Sequence, residues 1–210
     1  MGAALRRPLA RPASGYGKWK SVHTRFSRWA NKRRVGAGLQ SPHRRSQQRI
    51  SHARHHPGSR PPAGSDRKRG DQNQALGRSR GGLTTKIHML ADALGRPLRF
   101  ILTGGQAHDI VTVPALLDGM KGTAVIADKA YDSNDLRRII ADADMLAVIP
   151  SKRSRKVPIP HDTVLYKTRN RIERCFNKLK HFRRFATRFD RRAVHFLAFI
   201  HLAAAMLWMR

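Results

Sequence analysis

The sequence predicts an α/β fold, a mixed sheet with flanking helices, over its C-terminal part, and three observations predict it. From Leu83 to Lys180, short apolar runs of strand character alternate with segments of helical periodicity. Upstream the apolar content collapses: the 38 positions from Arg33 to Gly70 hold only three large apolar residues, Val35, Leu39 and Ile50. The single glutamate of the chain, Glu173, lies within Tyr166-x2-Arg169-x3-Glu173-x6-Lys180, whose offsets bring four side chains onto one stripe of a helix.

Taken in order, residues 1–32 form a basic segment without the apolar core of a signal peptide. Within it, Lys18 to Lys32 has Trp19, Val22, Phe26 and Trp29 on one helical face and Lys18, Lys20, Arg25, Arg28 and Lys32 on the other. Residues 33–76, rich in Arg, Pro, Gly, Ser and His, cannot bury enough surface to offset their ordering entropy and read as a disordered basic linker.

From residue 77 to 210 the elements follow one another closely. Leu83 to Leu90 and Leu98 to Thr103 read as strands joined around Gly95-Arg96-Pro97. Val111 to Met120 reads as a helix, and Thr123 to Ala127 as a short apolar strand ending at Asp128. Ser133 is placed to cap a helix that runs to Asp142 and buries Leu136, Ile139 and Ile140. Leu146 to Pro150 reads as a further buried strand, and a basic loop, Ser151 to His161, leads into the Glu173 helix. Ala193 to Met209 is nearly all apolar but too short for a comfortable membrane span; it reads as a closing helix with Phe196, Leu197, Ile200 and Leu207 toward the core.

Charge narrows the function. Lys plus Arg exceed Asp plus Glu by 43 to 13, and a net charge of +30 calls for a polyanionic partner, nucleic acid by default. Residues 1–81 carry +18 of it and include no acid before Asp66. One cysteine, Cys175, excludes an internal disulfide framework, fits a reducing cytoplasm and reads as a packing residue. On the Glu173 stripe, cations flanking a lone carboxylate suit a site that holds a divalent metal and a phosphodiester together. A solvated helix face would carry the same residues.

The four stripe positions, at their spacing, resemble the signature of bacterial insertion-sequence transposases of the DDE class. Three upstream segments resemble the same family: Gly77-Arg78-Ser79-Arg80-Gly81-Gly82-Leu83-Thr84-Thr85-Lys86-Ile87-His88, Gly104-Gly105-Gln106-Ala107-His108-Asp109, and Ala127-Asp128-Lys129-Ala130-Tyr131-Asp132. The family usually has Gly where this chain has Ala130. The Lys18 to Lys32 helix is similar to one from the family's DNA-recognition region, and equally to an ordinary helix separated from its packing neighbours. His108 and Asp109 fit a family position near the active site or a cap on the following helix.

The resemblance implies a ribonuclease H-like arrangement, with Asp128 and Glu173 as catalytic ligands of a divalent metal, Mg2+ or Mn2+. It implies DNA contacts through Tyr166, Arg169, Lys180, Arg78 and Arg80. Its implied partners are element-end and target DNA, with a homo-oligomer when active, no membrane, and a bacterial, nucleoid-associated cytoplasmic location. The family's first catalytic aspartate belongs on a strand upstream of Gly77, where Asp66 and Asp71 are the only acids and neither sits in a strand-like setting.

The expectation is therefore a fold lacking a proper first strand and a transposase with impaired catalysis. The alternative is a basic nucleic-acid-binding protein without chemistry. Codon degeneracy offers a cause: a one-base shift across His52-Ala53-Arg54-His55 permits Met-Leu-Asp-Thr, so residues 33–70 read as an out-of-frame or degenerate stretch of the gene.

Overall fold

The computed structural model describes residues 19–32, 48–55, 74–79 and 82–209. Its centre is a hairpin of β3 (Gly82–Ala91) and β4 (Pro97–Gly104), as the sequence predicts. Asp92 builds the turn by accepting the backbone N–H groups of Leu94 and Arg96 at 2.9 and 2.8 Å on one carboxylate oxygen. Gly95 has a positive φ of 81°, and a Cβ there would meet the Arg171 carbonyl oxygen at 2.8 Å. Glycine lets the hairpin turn touch a helix backbone.

The sheet runs β4-β3-β1-β5-β6 in neighbouring pairs. Strand β1 (Gln48–His55) is antiparallel to β3, from Arg49↔Ala91 to His55↔Thr85, and parallel to β5 (Ala124–Ile126) through Gln48↔Val125 and Arg49↔Ile126. Parallel pairing continues from β5 to β6 (Leu146–Val148), and a short β2 (Gly77–Ser79) pairs with the first residues of β3.

Strand β1 corrects the expectation of a missing first strand. Its sequence, Gln-Arg-Ile-Ser-His-Ala-Arg-His, is poor in strand-forming residues. Pairing is a backbone property, however, and the ladder edges of β3 and β5 satisfy N–H and C=O groups whatever the side chains. Ile50 anchors it, buried beside Leu90 and Val125. The disorder expected for residues 33–47 and 56–73 lies outside the described residues.

Side-chain alternation divides the core between the two faces of the sheet. On one face Ile87, Met89 and Phe100 pack with Ile172, Phe176 and Phe196 from α5 (Asn170–Lys180) and α7 (Ala193–Trp208). On the other, Ile50, Leu90 and Val125 meet Leu116, Leu136 and Ile140 from α2 (Val113–Leu117) and α3 (Asn134–Asp142). The α2 helix is shorter than its apolar pattern suggests. A 3-10 turn, Asp109–Thr112, precedes it, Pro114 fixes its first turn, and Gly119 with positive φ follows it. Ser133 is the N-cap residue of α3, without a side-chain cap hydrogen bond. Leu146, expected to be buried, is exposed in β6.

The closing helix α7 buries Phe196 and Ile200 fully and packs Leu197 and Leu207 partly. Burial pushes the His201 imidazole down to about 4, so it sits neutral, edge-on to Phe100 with ring centroids 5.5 Å apart. The amphipathic helix expected near the start is α1 (Trp19–Asn31), which docks on α7 with Phe26 centred 6.0 Å from His195. A short α6 (Arg183–Ala186) leads to Arg188, a buried guanidinium that donates to the Thr85 hydroxyl at 2.5 Å and the Ala75 carbonyl at 3.3 Å. Among the described residues no helix is long and apolar enough to cross a membrane.

Candidate active site

Asp128 lies two residues past the end of β5, whose Ala124 and Ile126 face Leu165 and Tyr166. Its backbone stays extended at φ −78° and ψ 172°, so alternation carries the half-buried Asp128 to that same face. One carboxylate oxygen accepts the Ala130 N–H at 2.8 Å, capping a 3-10 turn, Lys129–Tyr131.

The stripe predicted on one helix is divided between two. Tyr166 belongs to α4 (Thr163–Lys167) and Glu173 to the first turn of α5, with Thr168 and Arg169 between them in a tighter turn. There the N–H of Thr168 bonds Leu165 O at 3.1 Å and that of Arg169 bonds Tyr166 O at 2.9 Å, three residues back rather than four. The Thr168 hydroxyl also donates to Leu165 O at 2.6 Å, the local side-chain competition that interrupts a helix.

The polar neighbours on the stripe still meet. Arg169 forms an ion pair with Glu173 at 2.8 Å and lies 5.6 Å over the Tyr166 ring. The Tyr166 ring also packs edge-on to His161 at 5.3 Å. Lys180 is exposed in the last turn of α5, and Arg78 is exposed on β2. Arg80 lies outside the described residues.

A neighbouring cluster was only partly legible. His108 is the N-cap residue of the following turn, without a side-chain cap hydrogen bond, and Asp109 takes the buried Lys86 ammonium at 2.7 Å, which also reaches Ala107 O at 2.5 Å. Burial, and then the charges of Asp109 and Asp128, raise the Tyr131 phenol well above its ordinary value and keep it protonated. These residues gather where β5 and β4 give way to their loops.

Sequence reasoning missed the role of Asp132. It is fully buried, and Arg155 grips it with two hydrogen bonds of 2.7 and 2.8 Å. Arg137 adds one at 3.0 Å and the Lys152 N–H another at 3.0 Å. Burial opposes the charge, but the bonds from Arg155, the Lys152 backbone and Arg137 prevail and hold the carboxyl at about 2. The basic loop of residues 151–161 is thereby tied to the segment that carries Asp128. An aspartate four residues after another was the available signal; nothing in spacing points to Arg155, 23 residues on.

The transposase DDE domain family matches residues 42–208, a span that includes β1, Asp128 and Glu173. The chain belongs to this family. Among its transposase relatives is a protein of Brucella ovis assigned as a candidate transposase for insertion sequence element IS6501. It is 44% identical over 133 residues, which are 61% of this chain and 100% of that protein. A Burkholderia cepacia counterpart for element IS402 is 35% identical over 135 residues, 59% of this chain and 62% of its own length. The Neisseria meningitidis transposase for element IS1106 is 34% identical over 100 residues, 45% of this chain and 35% of its own length. The Mos1 transposase paired-end complex with left transposon end overlaps 85% of this chain and 66% of its own at 10% identity, with a TM-score of 0.29, too loose a match to argue from.

Proposed function

We propose that this chain is an insertion-sequence transposase polypeptide of ribonuclease H-like architecture that binds DNA and has lost most of its chemistry. One observation carries the reading: β1 occupies the place between β3 and β5, yet none of its eight residues is a carboxylate.

Convergence of Asp128 and Glu173 is supported by the strand register. Arg49 is opposite Ile126, so Asp128 lies level with Ser51; Ser51 is opposite Met89, whose sulfur is 4.0 Å from that of Cys175, on the Glu173 helix. Burial pushes the Cys175 thiol up to about 12, consistent with a packing role. The register supports a reading in which Asp128 lies near the level of α5 on the sheet face that α5 covers, with Arg169 beside Glu173.

The donor set does not fit two catalytic metal ions. Among the described residues no three His, Cys, Asp or Glu side chains group to hold a metal, and Glu173 is already paired with Arg169. A site that needs Mg2+ or Mn2+ bridged by a carboxylate from β1 is short of that ligand, because metal geometry follows from the full ligand set. The DNA reading rests on the +30 charge and on the cationic and aromatic residues Tyr166, Arg169, Lys180 and Arg78.

Purified protein assayed on duplex DNA tests both halves. We expect binding that weakens steeply with salt, together with little or no cleavage when Mg2+ or Mn2+ is added. Salt-insensitive binding would overturn the DNA reading, and robust metal-dependent cleavage would overturn the impairment.

A further inference from the structure

We infer that the flank of α5 facing away from Glu173 is a second DNA contact, a cleft that holds the phosphodiester backbone irrespective of sequence. The inference rests on the DNA-binding reading above and deepens it. Arg171, Arg174 and Lys178 are spaced by three and four residues, one stripe roughly 100° to 160° around the helix from Glu173. Together with Arg96 from the β3–β4 turn they line a cleft of about 220 Å3 that no carboxylate lines.

The cleft is built rather than incidental. Gly95 brings the turn against the α5 backbone, and Arg171 fastens the two by donating to Ala93 O at 2.6 Å. Arg96 is held by Asp92 at 2.7 Å and lies over the Trp208 ring at 4.1 Å, while the indole N–H of Trp208 bonds Pro97 O at 2.8 Å. The hairpin turn, α5 and the end of α7 therefore fix one wall each. Arg174 and Lys178, both exposed, have no carboxylate partner in the described residues.

Like charges three and four residues apart repel on a helix and cost a few tenths of a kcal/mol per pair. With the Arg96 and Arg171 guanidinium groups already fastened and the exposed Arg174 and Lys178 beside them, a polyanion is the ligand that relieves this arrangement. A duplex backbone supplies phosphates in series, and contacts of this kind position DNA without reading bases. The other flank of the same helix remains free for the DNA segment presented to Glu173.

The test compares two double variants of equal charge change, Arg174→Gln with Lys178→Gln in the cleft and Lys121→Gln with Arg138→Gln on exposed positions elsewhere. Binding to an element-end duplex and to an unrelated duplex is measured from low to high salt, with thermal unfolding showing that all proteins are folded. Loss of two phosphate contacts flattens the slope of log affinity against log salt by about 2 for the cleft pair, on both duplexes alike, and leaves the control pair near the parent. Equal slopes for the two pairs overturn the cleft while leaving DNA binding intact, and a change on one duplex only overturns the backbone role. A parent protein without salt-dependent binding fails the underlying reading and the cleft with it.

Discussion

Strands β1 and β5 lie side by side and run in the same direction, yet they carry opposite information. Strand β5 is three residues long and wholly buried, and Asp128 lies two residues past its end. Strand β1 is eight residues long, built from Gln, Arg, Ser, His and Ala around a single anchoring Ile50, and carries no acid. The difference teaches that a sheet can hold a strand by backbone pairing where the strand's own side chains do little to encode it. Catalysis has no such tolerance, because a metal ligand is a side chain.

The largest expected effect tests the β5 side of the comparison, in the segment that follows Asp128. Asp132→Ala removes the acceptor of Arg155, Arg137 and the Lys152 N–H and leaves buried donors unpaired. It should cost about 3 kcal/mol or more and loosen the loop of residues 151–161, measured by urea unfolding and limited proteolysis. The carboxyl is held at about 2, below its ordinary 3.8, so its stabilisation is complete above about pH 4 and lost as pH falls through 2. Asp132→Asn should lack that acid-dependent component; an unchanged acid profile would show that the network contributes nothing.

A smaller effect separates β1 from β5 directly. Ile50→Ala should cost about 2–4 kcal/mol if β1 is part of the core, comparable with about 2 kcal/mol for Val125→Ala in β5. A neutral Ile50→Ala would mean that β1 contributes no packing and would remove the comparison.

The smallest effect concerns the half-exposed ion pair on α5. Arg169→Gln should change stability by less than about 1 kcal/mol, since such pairs are screened by water. The same variant should still weaken DNA binding. Loss of stability without loss of binding would assign Arg169 to the fold instead of the site.

Much of the fold was legible because periodicity reports burial. The β3–β4 hairpin, α3, β5 and α7 appear where the sequence places them. Strand β1 was not, because its pairing depends on partners 30 to 77 residues away rather than on its own propensities. The break between α4 and α5 escaped notice for a similar reason, since a helical wheel sees spacing but not the hydroxyl of Thr168 on Leu165 O. Motif and spacing single out Asp128 and Glu173 as candidates, whereas Lys86 and Arg155 make their ion pairs only through contacts across the fold.

The central claim is that β1 retains its place but has lost its carboxylate. Metal-dependent cleavage of element-end DNA tests it most directly, comparing the chain with a version in which residues 33–70 are translated in the frame that reads Met-Leu-Asp-Thr across positions 52–55. The account expects no cleavage above background from the chain as it stands, and activity from the repaired chain that disappears with Asp128→Ala or Glu173→Ala. Robust cleavage by the unrepaired chain that survives Glu173→Ala would contradict it.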